Sequence, residues 1–184
     1  MKKIILAFFL LTTVFCFTAG AEPKSLAEPI FEQPALITAV GQSADAQMAN
    51  VLFKRSNLEF TLSNVATTAE LSGVKTLVLV IGGSSKGLGA AGINADQEAK
   101  RAEALIEAAK AAGIKIMALH IGGESRRGDL TDRYIQLCTA PAEYAVVVES
   151  GDADKIFAKA MDGKFLDYAK NVGAVAPLIK NAFK

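Results

Sequence analysis

The chain has 184 residues, 51% of them hydrophobic, and sets 20 Lys and Arg against 19 Asp and Glu with a single histidine, for a formal charge of +1. So even a balance argues against the basic stripe of a nucleic-acid or anionic-membrane binder. Two cysteines cannot supply a disulfide framework, and the length suits one domain with a sizeable core better than two.

Met1-Lys2-Lys3 is basic, Ile4 to Phe17 is apolar except for Thr12 and Thr13, and Thr18-Ala19-Gly20-Ala21 follows. That succession predicts a secretory signal peptide over residues 1–21, cleaved after Ala21. Its apolar run of about 14 residues falls short of the roughly 20 that a membrane span needs. Cys16 follows Thr13-Val14-Phe15 in place of a Leu-Ala-Gly type of lipoprotein box, so no lipid anchor is expected. Cleavage would remove Lys2, Lys3 and Cys16, take the formal charge to −1, and leave Cys138 as the one thiol of a periplasmic or extracellular domain. Stability would then rest on the core alone.

Residues 22–34 hold three prolines and three glutamates with little apolar periodicity and read as a linker, with a single domain over 35–184. Strands are predicted at Leu36–Val40, Glu59–Leu62, Thr76–Ile81, Ile114–Ile121 and Tyr144–Val148, each bounded by Gly, Ser or Asn. Between them, Asp45–Arg55 carries Met48, Val51 and Leu52 at helical spacing. Asp96–Ala112 gathers Ala102, Leu105, Ile106 and Ala109 on one side, with Asn94 and Gln97 placed as a capping box. Leu130–Leu137, Ile156–Met161 and Phe165–Lys180 complete the predicted helices. The alternation predicts an α/β class: a three-layer α/β/α sandwich, flavodoxin-like or Rossmann-like, with a parallel sheet of about five strands in the order 2-1-3-4-5 and the weak second strand at an edge.

Three strands leave the sheet through similar loops: Gly41-Gln42-Ser43, then Gly82-Gly83-Ser84-Ser85-Lys86, then Gly122-Gly123-Glu124-Ser125-Arg126-Arg127. Glycine admits close backbone approach, serine caps or donates, and Lys86, Arg126 and Arg127 are cations suited to an anion. Ligands of open parallel sheets sit beyond the carboxyl ends of the strands, at the switch between neighbours whose crossovers diverge. One crevice between the first and third strands is therefore expected, and these fourteen residues are its candidate lining. The same loops also serve as ordinary turns in many folds, with solvated cations at the rim.

Gly87-Leu88-Gly89-Ala90-Ala91-Gly92 matches the dinucleotide fingerprint, but Asn94 begins the next helix after its last glycine, and Tyr134, Tyr144 and Tyr168 lack a lysine four residues on. A nicotinamide enzyme is set aside, and no cofactor is expected. A hydrolase or transferase would need Ser84, Ser85 or Ser125 within reach of His120, whose side chain alternation turns away from the face of Leu119 and Ile121. No Gly-x-Ser-x-Gly elbow supports it. His120, Cys138, Asp129 and Asp132 lack ligand spacing, so no metal is expected, and Asp129 and Asp132 suit the start of a helix.

The segments Gly41-Gln42-Ser43-Ala44-Asp45, Ile81-Gly82-Gly83-Ser84-Ser85-Lys86-Gly87-Leu88-Gly89 and His120 through Arg126-Arg127-Gly128 to Asp132 resemble an uncharacterised family of exported bacterial proteins, the domain of unknown function 6305. The resemblance runs from about Pro34 to the C-terminus. It implies a signal peptide and one α/β domain, and brings no catalytic residues. The expectation drawn from the residues is capture of a small anionic molecule, a carboxylate or phosphate compound, in preference to catalysis, with a membrane transporter as expected partner. An interaction module that grips a protein through the same edge is the other non-enzymatic reading.

Overall fold

The computed structural model describes residues 23–184, so the predicted leader lies outside the described residues. Six parallel strands form one sheet: β1 (Ala35–Val40), β2 (Phe60–Leu62), β3 (Thr76–Ile81), β4 (Lys115–His120), β5 (Tyr144–Val148) and β6 (Phe165–Ala169), in the order β2-β1-β3-β4-β5-β6. The helices are α1 (Asp45–Arg55), α2 (Ser85–Ala90), α3 (Ala95–Ala111), α4 (Asp129–Thr139), α5 (Ile156–Ala160) and α6 (Val175–Ala182).

Every residue of β1, β3 and β5 is buried, as expected for apolar runs covered on both faces. On one face, Leu36, Leu77 and Leu79 meet Leu105 and Ile106 of α3, Tyr134 and Ile135 of α4 and Phe157 of α5. On the other, Ile37, Val78 and Val80 meet Leu52 and Phe53 of α1 and Val175 and Ile179 of α6. The helix after β1 thus lies on one face and the long helix after β3 on the other, which puts the topological switch between β1 and β3. The start of α3 is the predicted capping box: Asn94 Oδ1 accepts from the N–H of Asp96 and Gln97, and Gln97 Oε1 accepts from the N–H of Asn94 at 2.8 Å.

One predicted element is corrected: Phe165–Ala169, expected to open a C-terminal helix over Phe165–Lys180, pairs in parallel with β5 and takes the sheet from about five expected strands to six. Five residues are too few to display a period of their own, and Leu166 and Ala169 are buried on opposite faces of the sheet. The helical signal belongs to α6, which begins only at Val175.

The segment read as a linker lies against the domain from Lys24 onward. Lys24 donates to Lys164 O and accepts from Leu166 N, covering the outer edge of β6. Phe31 is fully buried, packs its ring against Phe183 and Tyr144, and its carbonyl accepts from the N–H of Lys184 at 3.0 Å. One aromatic among prolines and glutamates has no periodicity to betray it.

Candidate functional site

The three glycine loops do meet at the carboxyl edge of the sheet, but the switch between β1 and β3 is closed. Ser43 N donates to Gly82 O at 3.0 Å and Ser84 N to Gly41 O at 2.8 Å, an antiparallel bridge that joins Gln42 to Gly83. Main chain fills the place where one crevice was expected. Open space lies to either side.

The glycines serve contacts between loops. A Cβ on Gly82 would collide with Ser43 Oγ and come within 2.8 Å of Asp45 Oδ2; one on Gly122 would lie 2.7 Å from the same oxygen. The missing side chains at the ends of β3 and β4 therefore make room for the carboxylate of Asp45, in the first turn of α1. Asp45 is nearly buried and accepts from Nε of Arg126 at 3.1 Å. Thr131 of α4 ties the same loops together, accepting from Gly83 N at 2.8 Å and donating to Arg126 O.

The first cavity, about 280 Å³, lies between the β3 and β4 loops and is lined by Gly83, Ser85, Ser125, Arg126, Arg127 and residues 128–131. Arg126 is one-third exposed there, and among the described residues neither of its Nη groups has a hydrogen-bond partner. Ser125 donates to Gly122 O at 3.0 Å, and its oxygen can still accept. Ser85 is exposed, as are Glu124 and, at the rim, Asp129. Glu124 contributes its N–H to Ser150 Oγ.

Arg127 is different. Nε and Nη2 grip both oxygens of Asp132 at 2.7 and 2.9 Å, Nη1 and Nη2 grip both of Asp154 at 3.0 and 2.8 Å, and Nη1 also reaches Gly151 O. All five donors are committed. These bonds raise the guanidinium further above its ordinary value, hold the Asp132 carboxyl low, and draw that of Asp154 down to about 2. The expectation that Arg127 is a free cation for a ligand is therefore corrected: it clasps the β4 loop to the segment after β5.

The second cavity, about 540 Å³, lies on the far side of the closed switch, between the β1 loop, the loop after β2 and α2. It is lined by Gln42, Ser43, Ser84, Lys86 and Gly87 with Ala44, Gln47, Asn64, Val65, Ala90 and Ala91. Gln42 is held by its amide nitrogen, which donates to Asn64 O at 2.8 Å and Glu98 Oε1 at 3.0 Å. Glu98, fully buried, also accepts from Gly41 N and is paired with Arg101 at 2.8 Å. Arg101 goes on to Ala39 O and Ala66 O.

Asp45, Thr131, Glu98, Arg101 and Asn64 were not among the sequence candidates. Glu98 had a signal: it sits on the helical stripe that continues as Ala102, Leu105 and Ala109, where an acid is out of place.

Gly123 contributes its carbonyl oxygen, 3.2 Å from His120 Nε2, while Nδ1 lies 3.1 Å from Ile81 O. The ring is fully buried and stacks on Phe157. Burial lowers its pKa, opposed by the two carbonyls. With both nitrogens turned to main chain, the pairing of His120 with Ser84, Ser85 or Ser125 that a hydrolase would require is not formed. Cys138 is a buried core residue whose thiol is pushed up by desolvation. Among the described residues, no group of three or more His, Cys, Asp and Glu converges as a metal centre requires.

The model of a family described as a domain of unknown function, DUF6305, matches residues 32–183. No curated protein matches the chain.

Proposed function

Since the chain belongs to the DUF6305 family, whose description names no activity, we propose from its own residues that it captures a small anion at Arg126. The observation that carries this reading is the contrast between two adjacent arginines: Arg127 has every donor used, whereas Arg126 is steered through Nε by Asp45, lines a cavity, and has no partner on either Nη among the described residues. A planar guanidinium fixed at one edge is prepared to hold a carboxylate by two parallel hydrogen bonds. Ser85 and Ser125 add hydroxyls beside it. Asp45 already balances Arg126, and Asp129 stands at the rim, so one carboxylate suits the site better than a doubly charged phosphate.

Export through residues 1–21 belongs to the same proposal, and intact-mass measurement of the secreted protein, expected to begin at Glu22, tests it. Capture ahead of a membrane transporter is the role such an exported domain would serve; co-purification from a membrane fraction tests that. For the site, a thermal-shift series with short monocarboxylates and inorganic phosphate is the experiment. A short monocarboxylate without an apolar body, such as acetate, should raise the Tm of the wild type and leave that of Arg126→Ala unmoved. If no anion stabilises the wild type, or if Arg126→Ala responds equally, the reading fails.

A further inference from the structure

The second cavity asks for a different ligand. Its eleven lining residues include one cation, Lys86, and no acid. Lys86 is exposed, and among the described residues its ammonium has no ion-pair partner. Part of the wall is apolar, formed by Ala44, Val65, Ala90 and Ala91, beside the polar Ser43, Gln47, Asn64 and Ser84. The apolar surface continues outside, since Met48 and Val51 share the helix face of Ala44 and Gln47 by their three- and four-residue spacing. Met48, Val51 and Val65 are three of the four exposed large hydrophobics among the described residues, at 45, 39 and 43%.

Gln42 adds a directional element. Its φ of 59° is left-handed, a conformation that side chains with a Cβ seldom take. Both amide N–H groups are engaged, one on Asn64 O and one on Glu98 Oε1, and since both partners are acceptors the amide cannot turn over. Oε1 is left as an acceptor with no partner among the described residues. The cavity thus offers one cation at the rim, an apolar wall and a fixed acceptor. Its volume lies within the few hundred to about 1,000 Å³ usual for sites of small molecules.

We propose that this cavity binds an organic monocarboxylate that has an apolar body and an N–H or O–H donor, the carboxylate at Lys86, the body against Val65, Ala90 and Ala91, and the donor on Gln42 Oε1. This site stands on residues separate from Arg126 and goes beyond the reading given above. Multiply charged or wholly polar anions would leave the wall uncovered; neutral apolar compounds would leave Lys86 without a counter-charge.

The test is isothermal titration of the full-length chain with N-acetylleucine and N-acetylphenylalanine as probes, and with acetate and N-acetylleucinamide as comparators lacking the body or the charge. The acylated amino acids should bind saturably, and each comparator should bind about tenfold or more weakly. Lys86→Glu and Val65→Asp alter exposed side chains and should fold normally, verified by an unchanged Tm, while each weakens the probe about tenfold or more. Arg126→Ala should leave the probe's affinity unchanged, which separates this cavity from the other. Absence of saturable binding overturns the proposal. So does binding that survives both Lys86→Glu and Val65→Asp, or that is lost in Arg126→Ala.

Discussion

Asp45 Oδ2 lies 3.1 Å from Arg126 Nε, and the same oxygen occupies the gap that Gly82 and Gly122 leave open. One carboxylate thereby sets the position of the guanidinium and the spacing of two strand ends. The neighbouring arginine has no such freedom, and the pair should separate cleanly under mutation. Arg127→Ala removes five hydrogen bonds and leaves Asp132 and Asp154 facing each other. A loss of about 2–3 kcal/mol in urea unfolding is expected. Arg126→Ala, partly exposed and with one bond, should cost less than about 1 kcal/mol.

Glu98→Gln tests the support under Gln42. The substitution keeps the shape of the side chain but strips Arg101 of its counter-charge beneath a fully buried position. Removing one member of a buried pair costs about 3–5 kcal/mol. A midpoint shift in denaturant at unchanged m-value would register it, and a near-neutral result would show that the pair is solvated in solution.

Stability should fall as the medium becomes acidic, with His120 responsible for the first stage. Burial holds its folded pKa below the unfolded value of about 6.5. The unfolded chain therefore takes up the proton first, so the contribution is complete above that value and is lost as pH falls below it. Unfolding measured between pH 7.5 and 5, all conditions chosen as roughly the window around that value, should show this slope in the wild type and lose it in His120→Gln. Further acidification should remove the contribution of Asp154 and Asp132, whose carboxyls are held low by Arg127; it is present above their unfolded values and disappears through the range down to about 2 for Asp154.

Phe31→Ala probes the segment before β1. A fully buried ring that touches Phe183 and Tyr144 should cost about 3–5 kcal/mol when truncated. Removal of residues up to 33 should be at least as damaging. A truncated chain that unfolds at the same denaturant concentration as the whole would contradict the packing described.

The strands β1, β3, β4 and β5 were legible because aliphatic runs covered on both faces are nearly continuous in sequence, and the capping box at Asn94 was legible because it is local. The convergence of the three loops followed from topology. What stayed hidden depends on distant partners. Nothing in Arg126-Arg127 as a dipeptide tells which guanidinium is taken; Asp154 lies on the far side of β5. Phe31 and β6 share the same obscurity, since each is defined by a partner elsewhere in the chain, Phe183 for the one and β5 with Lys24 for the other. The closed switch was also invisible, because glycine and serine spell a ligand loop and an interloop turn with the same letters.

That closure divides the carboxyl edge into a frame and its fittings. Ser43 to Gly82 and Ser84 to Gly41 are joined through peptide groups, which every residue but proline supplies alike. Lys86, Ser85, Ser125 and Arg126 stand around the seam on side chains alone. Exchange at those four positions alters charge and shape on either flank without touching what keeps β1 and β3 together, so the surface of this edge can be varied, by mutation or by design, on an unchanged chassis.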